Sequence, residues 1–395
     1  MSKKPLAVIF LTVFIDLVGF GIIIPLNPYL AREFGATPLH VGLLMAIYSA
    51  LQFLFSPFWG QVSDRIGRRP VLLLSLFGTS LAHAFFFTST SLLGLFVARA
   101  LAGFFSANIS TAMAYIADVS ENKDRSKSMG LIGAAFGLGF VLGPALGGVV
   151  AHWGESLPAL AASAICMANF IFAVFVLRES LPPEKRSLQV RKSRIKSILE
   201  KVRRPVAGPL LLAYFSYSFA MANMEASLFL LVKDRFLLSM AQASYGFAYV
   251  GVCMAITQGL LIRRLLPVWG ERGLLFSGFI LFTVAMFLTA VSPNLWVLAL
   301  AMTVMAVGGG FINPSVHGTL SNLAGPHEQG EVLGVSQSLA ALARIIGPPV
   351  GGFLYMSLAF SAPFVFAGLT ALVGFFVITK IRGKIPQTAV EAKPL

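Results

Sequence analysis

"GQVSDRIGRRP", residues 60–70, sets one acid and three arginines between two long apolar stretches, in a chain that is 57% hydrophobic and only 12% charged. The runs on either side, 39–61 and 70–89, each have the length of about twenty apolar residues that a helix needs to cross the hydrocarbon of a bilayer. Outward from them the same pattern recurs at 6–30, 92–117, 127–152 and 157–177, then at 207–232, 242–264, 273–291, 294–320, 330–357 and 360–380. Composition agrees, because 395 residues with a mean hydropathy of +0.82 exclude a soluble globule with one apolar core and a polar coat. The expected fold is an all-α membrane protein of twelve transmembrane helices. The first run is too long for a signal-peptide core and shows no small-residue cleavage site before Arg32, so it is expected to remain in the mature chain.

Charge fixes the expected topology. With twelve spans, alternate loops share a side, and the N-terminus, the even-numbered exits and the C-terminal tail carry about 25 of the 30 lysines and arginines, against Arg32, Lys233 and Arg235 opposite. The positive-inside rule then puts both termini in the cytoplasm of a multi-pass protein of the cell (inner) membrane. A net charge of +14 does not imply nucleic acid here, since the basic residues sit in short loops rather than on amphipathic faces with interleaved aromatics. In the longest loop, 178–206, Ile195, Ile198, Leu199 and Val202 recur at helical spacing among basic residues, the pattern of an amphipathic helix on the inner membrane face. Cys166 and Cys253 fall inside apolar runs far apart in sequence and read as packing residues, so neither a disulfide nor a metal site is expected.

The two halves repeat. "GPALGG" at 143–148 returns as "GPPVGG" at 347–352, an offset of 204, and Gly103, Asn108 and Ser110 return as Gly308, Asn313 and Ser315, an offset of 205. This predicts a six-helix bundle over 1–177, a basic cytoplasmic linker over 178–206 and a second bundle with a short tail over 207–395. Parallel halves imply a pseudo-twofold axis along the membrane normal and a central site reached from alternate sides. Gly143, Pro144, Gly147 and Gly148, with Gly347 and Pro348, form a small-residue face that lets backbones approach and a proline that bends the helix.

Ionisable residues inside the spans cost at least about 2.5 kcal/mol each and usually face a cavity or a partner. Four stand out: Asp16, Arg99, Glu225 and Arg344. One reading is mutual pairing of acids with arginines. The other is proton coupling, since an acid in a partly dry cavity can take up and release a proton near neutral pH, with Asp16 first and Glu225 second in that role. Gln52, His83, Asn108, Gln258, Asn313, His317 and Gln337 put polar groups where apolar ones would be cheaper, as expected around a ligand in a mostly apolar pocket.

Gly60, Asp64, Arg65, Gly67, Arg68 and Arg69 resemble the signature loop between the second and third helices of the major facilitator superfamily. "FIDLVGFGIIIP" (14–25), "RALAGFFSA" around Arg99 and Gly103, and "GLGFVLGPALGG" (137–148) resemble motifs of its drug:proton antiporter group, and "ARIIGPPVGG" (343–352) is similar to the eleventh helix of tetracycline-efflux-like members. The resemblance implies a conformational latch, in which Asp64 meets the amide end of a helix near Glu331 to Gly334 and Arg68 meets Asp118. It also implies that Arg99 sits near the proton carrier and helps expel the proton. Tetracycline-type pumps carry an acid in the third helix, where this chain has His83, and one in the ninth, where 273–291 has none; tetracycline itself is therefore not the expected cargo.

The expected function is proton-coupled export of an amphipathic small molecule or drug by alternating access, as in multidrug efflux and antibiotic resistance. Export of a metabolite, siderophore or lipid, or uptake by proton symport, is the alternative. No HExxH, GxSxG, aspartate pair or GxxxxGK loop points to an enzyme or a primary pump. The chain is expected to work without a cofactor and as a monomer, its partners being substrate, protons and lipid.

Overall fold

The computed structural model describes residues 4–107, 109–120, 125–186, 194–324 and 328–385. Among these residues there is no strand, and fourteen α-helices follow in order: α1 (Lys4–Glu33), α2 (Pro38–Ile66), α3 (Arg68–Thr88), α4 (Leu92–Phe105), α5 (Ile109–Val119), α6 (Arg125–Ala151), α7 (Leu157–Val176), α8 (Arg194–Val202), α9 (Ala207–Asp234), α10 (Met240–Ile256), α11 (Ile262–Val291), α12 (Leu295–Leu323), α13 (Gln329–Ser357) and α14 (Ala362–Lys380). Among the described residues ten apolar segments are long enough to cross a membrane. One of them, Met240–Val291, runs for 52 residues through a break at Gly270, whose φ of 65° no helix accommodates, so it supplies two crossings. The apolar Gly137–Ala151 part of α6 supplies the twelfth.

One element departs from the sequence expectation, a π-helical turn, Thr257–Leu261, following α10. The span expected over 92–117 is one of the ten apolar segments, Leu92–Val119; α4 and α5 are its parts on either side of residue 108, which lies outside the described residues. Two side chains of α2 bond to the end of α4: Gln52 Nε2 donates to Ser106 O (3.1 Å) and Trp59 Nε1 to Phe104 O (2.7 Å). In the second half, α12 is continuous and carries Pro314, which has no backbone N–H to donate.

The chain divides into two compact units: Met1–Arg191 with Val232–Tyr249, and Lys192–Leu231 with Val250–Leu395. In the first unit, the end of α9 and the start of α10 are stitched to the ends of α1 and α6. Arg32 pairs with Asp234 (2.7 Å), Tyr29 Oη donates to Leu238 O (2.8 Å), Lys233 Nζ donates to Tyr29 O (3.3 Å), and His152 Nε2 lies 3.2 Å from Tyr245 Oη.

Within each unit the repeated glycine-proline motif does the same packing job. In the first, α6 lies so close to α1 that a Cβ on Gly143 would stand 2.7 Å from Gly21 Cα and from Val18 O. In the second, α13 lies against α9, where a Cβ on Gly347 would stand 2.9 Å from Phe219 O and 3.1 Å from Ala222 Cβ. Val18 and Ala222 are themselves 204 residues apart, so the duplication read in the sequence is repeated in the contacts. Added volume here has nowhere to go, and overpacking of this kind costs about 1–3 kcal/mol. Gly143→Val is accordingly expected to lower the midpoint of detergent-induced unfolding clearly, whereas Gly137→Val, at an exposed position with nothing within 4 Å of a new Cβ, is not. Equal midpoints for the two variants would contradict the close-packing account.

The expected amphipathic linker helix is α8, with Ile198 and Val202 half-buried and Leu199 exposed; the side chain of Ile195 lies outside the described residues. What holds α8 is charge on the first turn of α13. Arg204 binds Glu328 through both guanidinium nitrogens (2.8 and 2.9 Å), and Lys201 Nζ reaches Glu331 (3.2 Å) and Glu200 (3.1 Å). The Arg204 hydrogen bonds hold the Glu328 carboxyl down at about 2, below its ordinary value of 4.5. A group depressed in the folded state contributes its stabilisation fully above its unfolded value and loses it as pH falls toward the folded one. A spin label on α8 should therefore report a docked helix at pH 5 and its release only well below pH 4.5; release already at pH 5 would contradict this pairing.

Candidate functional site

The signature loop folds as a buried charge cluster where α2 gives way to α3. Arg68 is buried at the start of α3 and its guanidinium binds Asp64 one turn back on α2, Ser63 Oγ (2.7 Å) and Asp118 Oδ2 at the end of α5 (3.2 Å). Ser180 Oγ donates to the same Asp118 oxygen (3.0 Å). The sequence reading missed a further acid, Glu179, which lies just past α7. Its carboxylate accepts the backbone N–H groups of Arg68 (2.8 Å) and Arg69 (3.2 Å), an anion at the positive end of a helix. Arg69 turns away to the carbonyls of Leu177 (2.7 Å) and Val174 (2.6 Å), tying α3 to the end of α7. Gly67 is required between the helices: its φ is 109°, and a Cβ there would lie 2.3 Å from Glu179 Oε2. The signal for Glu179 was present as an acid in a loop otherwise dominated by basic residues, but nothing in its spacing ties it to residue 68. Gly60 is buried beneath the loop, while Arg65 is exposed.

Inside the first unit the polar span residues fall into two neighbourhoods. Asp16 is half-buried on α1 and lines a small cavity whose other walls are Thr12, Val13, Leu17, Leu72, Leu76, Ile109 and Ala112, from α1, α3 and α5. Its Oδ1 has no hydrogen-bond partner among the described residues. Nearby, Thr12 donates to Val8 O (2.9 Å) and Asn169 Nδ2 donates to Thr12 O (2.8 Å), while Asn169 Oδ1 has no partner among the described residues. Cys166 stands behind Asp16, buried and unbridged, where α7 meets Gly19.

The second neighbourhood lies where α2, α3 and α4 meet. Arg99 is buried on α4 with its guanidinium carbon 4.3 Å from the centre of the Tyr48 ring, a cation–π contact, and His83 of α3 is buried as well. His83 Nε2 has no hydrogen-bond partner among the described residues. Gln52 Nε2 donates to Ser106 O and reaches Tyr48 Oη at 3.4 Å. Asn108 lies outside the described residues.

The second unit assembles Asn313, His317 and Arg344 around two tyrosines that the sequence reading overlooked. Tyr214 Oη donates to Asn313 Oδ1 (3.1 Å), Asn313 Nδ2 donates to Tyr217 Oη (3.3 Å), and the His317 ring meets Tyr214 edge-on at 5.1 Å. Arg344 lies on α13 one turn before Gly347, which packs on Phe219 of α9. Glu225 is half-buried on α9, while Gln258, in the π-helical turn, and Gln337 are exposed and stand apart from this group. Asn223, another residue the sequence reading passed over, is wholly buried beside Gly351, with both amide atoms lacking a partner among the described residues.

A helical chain with twelve crossings, a repeated glycine-proline contact and this charge cluster matches the Major Facilitator Superfamily over residues 9–273 and 210–394. The chain belongs to that superfamily. It is 33% identical to the Escherichia coli tetracycline resistance protein, class E, over 350 residues, 87% of this chain and 86% of the relative. It is 30% identical to multidrug resistance protein 2 of Bacillus subtilis over 378 residues, 94% of each. Among solved structures, that of the human organic anion transporter MFSD10 (TETRAN) is similar with a TM-score of 0.74 and 29% identity, covering 95% of this chain and 99% of that one. The superfamily chain is thus a multi-pass membrane transporter, not an enzyme, and its relatives lie in the drug:proton antiporter group.

Proposed function

We propose that this transporter exports an amphipathic small molecule or drug in exchange for protons, by alternating access across the inner membrane with both termini in the cytoplasm. The observation that carries the reading is Asp16: a carboxyl group midway through a span, in a small cavity whose other walls are apolar but for Thr12, with an oxygen that has no hydrogen-bond partner among the described residues. A carboxylate placed there is costly unless it can take up a proton, and a proton that must be shed before the cycle continues is the basis of coupling. Relatives bearing tetracycline and multidrug resistance names support an amphipathic cargo. The cluster of Asp64, Arg68 and Asp118 serves as the latch that is remade in each cycle, with Glu179 fixing the start of α3. The protein functions as a monomer.

The test is a screen of amphipathic drugs, siderophores and lipids on the purified chain reconstituted in vesicles, with and without an imposed pH gradient. At least one amphipathic compound should accumulate against its own gradient and stop doing so when a protonophore is added. Flux indifferent to the protonophore for every transported compound would overturn proton coupling.

A further inference from the structure

Arg344 is the sixteenth residue of the 29-residue α13, about 22 Å along the helix from its start and about 20 Å from its end. At that depth in an apolar core about 30 Å thick the side chain has no easy route to either interface, so a guanidinium there faces a polar cavity or an anion. Its side chain is exposed, and among the described residues it makes no hydrogen bond or ion pair. The other mid-span arginine is covered differently, buried against the Tyr48 ring. One turn further along α13, Gly347 packs on Phe219 of α9, which puts Arg344 at the level of the Tyr214 end of that helix. There Tyr214 is held by Asn313, and His317 stands edge-on to that tyrosine with an Nδ1 atom that is buried and has no partner among the described residues. Among the described residues no carboxylate hydrogen-bonds Tyr214, Asn313 or His317, and Glu225 lies about three turns beyond Tyr214 on α9, past the contact of Asn223 with Gly351.

We infer that Arg344, with His317 and Tyr214, is a head-group subsite for an organic anion, so that the cargo is an amphipathic compound carrying a carboxylate. Arginine offers a planar pair of donors that fits a carboxylate through two bonds, and such charge-assisted contacts are the strongest hydrogen bonds available in a partly dry site. The inference rests on the transporter reading for its use of the word cargo, but the recognition itself is a matter of binding and can be measured without transport.

The experiment compares three probes of one shape, 1-naphthoate, 1-naphthamide and 1-naphthylmethylamine, binding to the purified full chain in phosphatidylcholine nanodiscs by calorimetry. Naphthoate should bind at least about tenfold more tightly than the amide or the amine, the factor expected from one charge-assisted hydrogen-bond pair. In Arg344→Gln the ratio should fall to within about twofold, and in Arg344→Lys a partial preference should return, which a misfolded variant cannot show. Equal binding of the three probes, or a preference that survives Arg344→Gln, would overturn the subsite. Added phosphatidylglycerol that abolishes naphthoate binding in an Arg344-dependent way would also overturn it, by making Arg344 a lipid head-group site. Proton-driven transport of the amide with no preference for the anion would sink the subsite and leave the exporter standing. A clear anion preference in a chain that moves no compound would do the reverse.

Discussion

Asp16→Asn in reconstituted vesicles should leave a folded protein that no longer accumulates its substrate under a pH gradient, with accumulation falling to the level of vesicles without protein. The carboxamide keeps the size and the polarity of the side chain but cannot exchange a proton. The walls around Asp16 are aliphatic except for Thr12, whose hydroxyl donates to Val8 O, and its Oδ1 has no donor among the described residues, so the substitution removes an ionisation and little else. Stability should be unchanged or slightly raised, because a neutral amide is less costly than a charge in this cavity. Substrate should still equilibrate down its own gradient if the transport cycle survives. Undiminished pH-driven accumulation would remove Asp16 from the mechanism and direct attention to Glu225.

The second large effect is on folding. Arg68 lies between Asp64 and Asp118, is 8% exposed, and also binds Ser63 Oγ, so its removal leaves two carboxylates facing each other around an empty space. Breaking a buried ion pair from one side costs about 3–5 kcal/mol, and the partial exposure of the acids, 18% and 23%, argues for the lower end. Arg68→Ala should thus lose about 3 kcal/mol in detergent-induced unfolding. Arg68→Lys should recover only part of it, since an ammonium cannot reproduce the fork that meets Ser63, Asp64 and Asp118 together. Asp64→Asn and Asp118→Asn should each cost less, as Arg68 then keeps one acid. An Arg68→Ala protein as stable as wild type would show that the cluster is a topological anchor of positive charge and nothing more.

Much of this architecture was legible because a bilayer imposes lengths and a hydrophobic spacing that a soluble core does not. The ends of α2, α3, α9 and α13 follow from apolar run length and flanking charge, and the repeat at Gly143 and Gly347 follows from two offsets that agree. The partners of Gln52 and Trp59, carbonyls near the end of α4, were not legible, because a polar residue in a span signals a burial problem and only tertiary structure decides what it meets. Glu179 and the tyrosines at 214 and 217 went unread for a related reason. A carboxylate past the end of a span and tyrosines in apolar runs are common, and only the packing brings them to Arg68 and Asn313. By contrast Asp16 and Arg344 stood out at once, since a mid-span charge is expensive wherever it occurs.

The central claim is that proton and substrate displace one another in one cycle through Asp16. Its most direct measurement is the release of protons into weakly buffered solution when substrate is added to the purified protein. Wild type should release protons in a saturable manner, with a midpoint that matches substrate binding, while Asp16→Asn binds substrate and releases none. Substrate binding without proton release in wild type, or equal release from Asp16→Asn, would contradict the account.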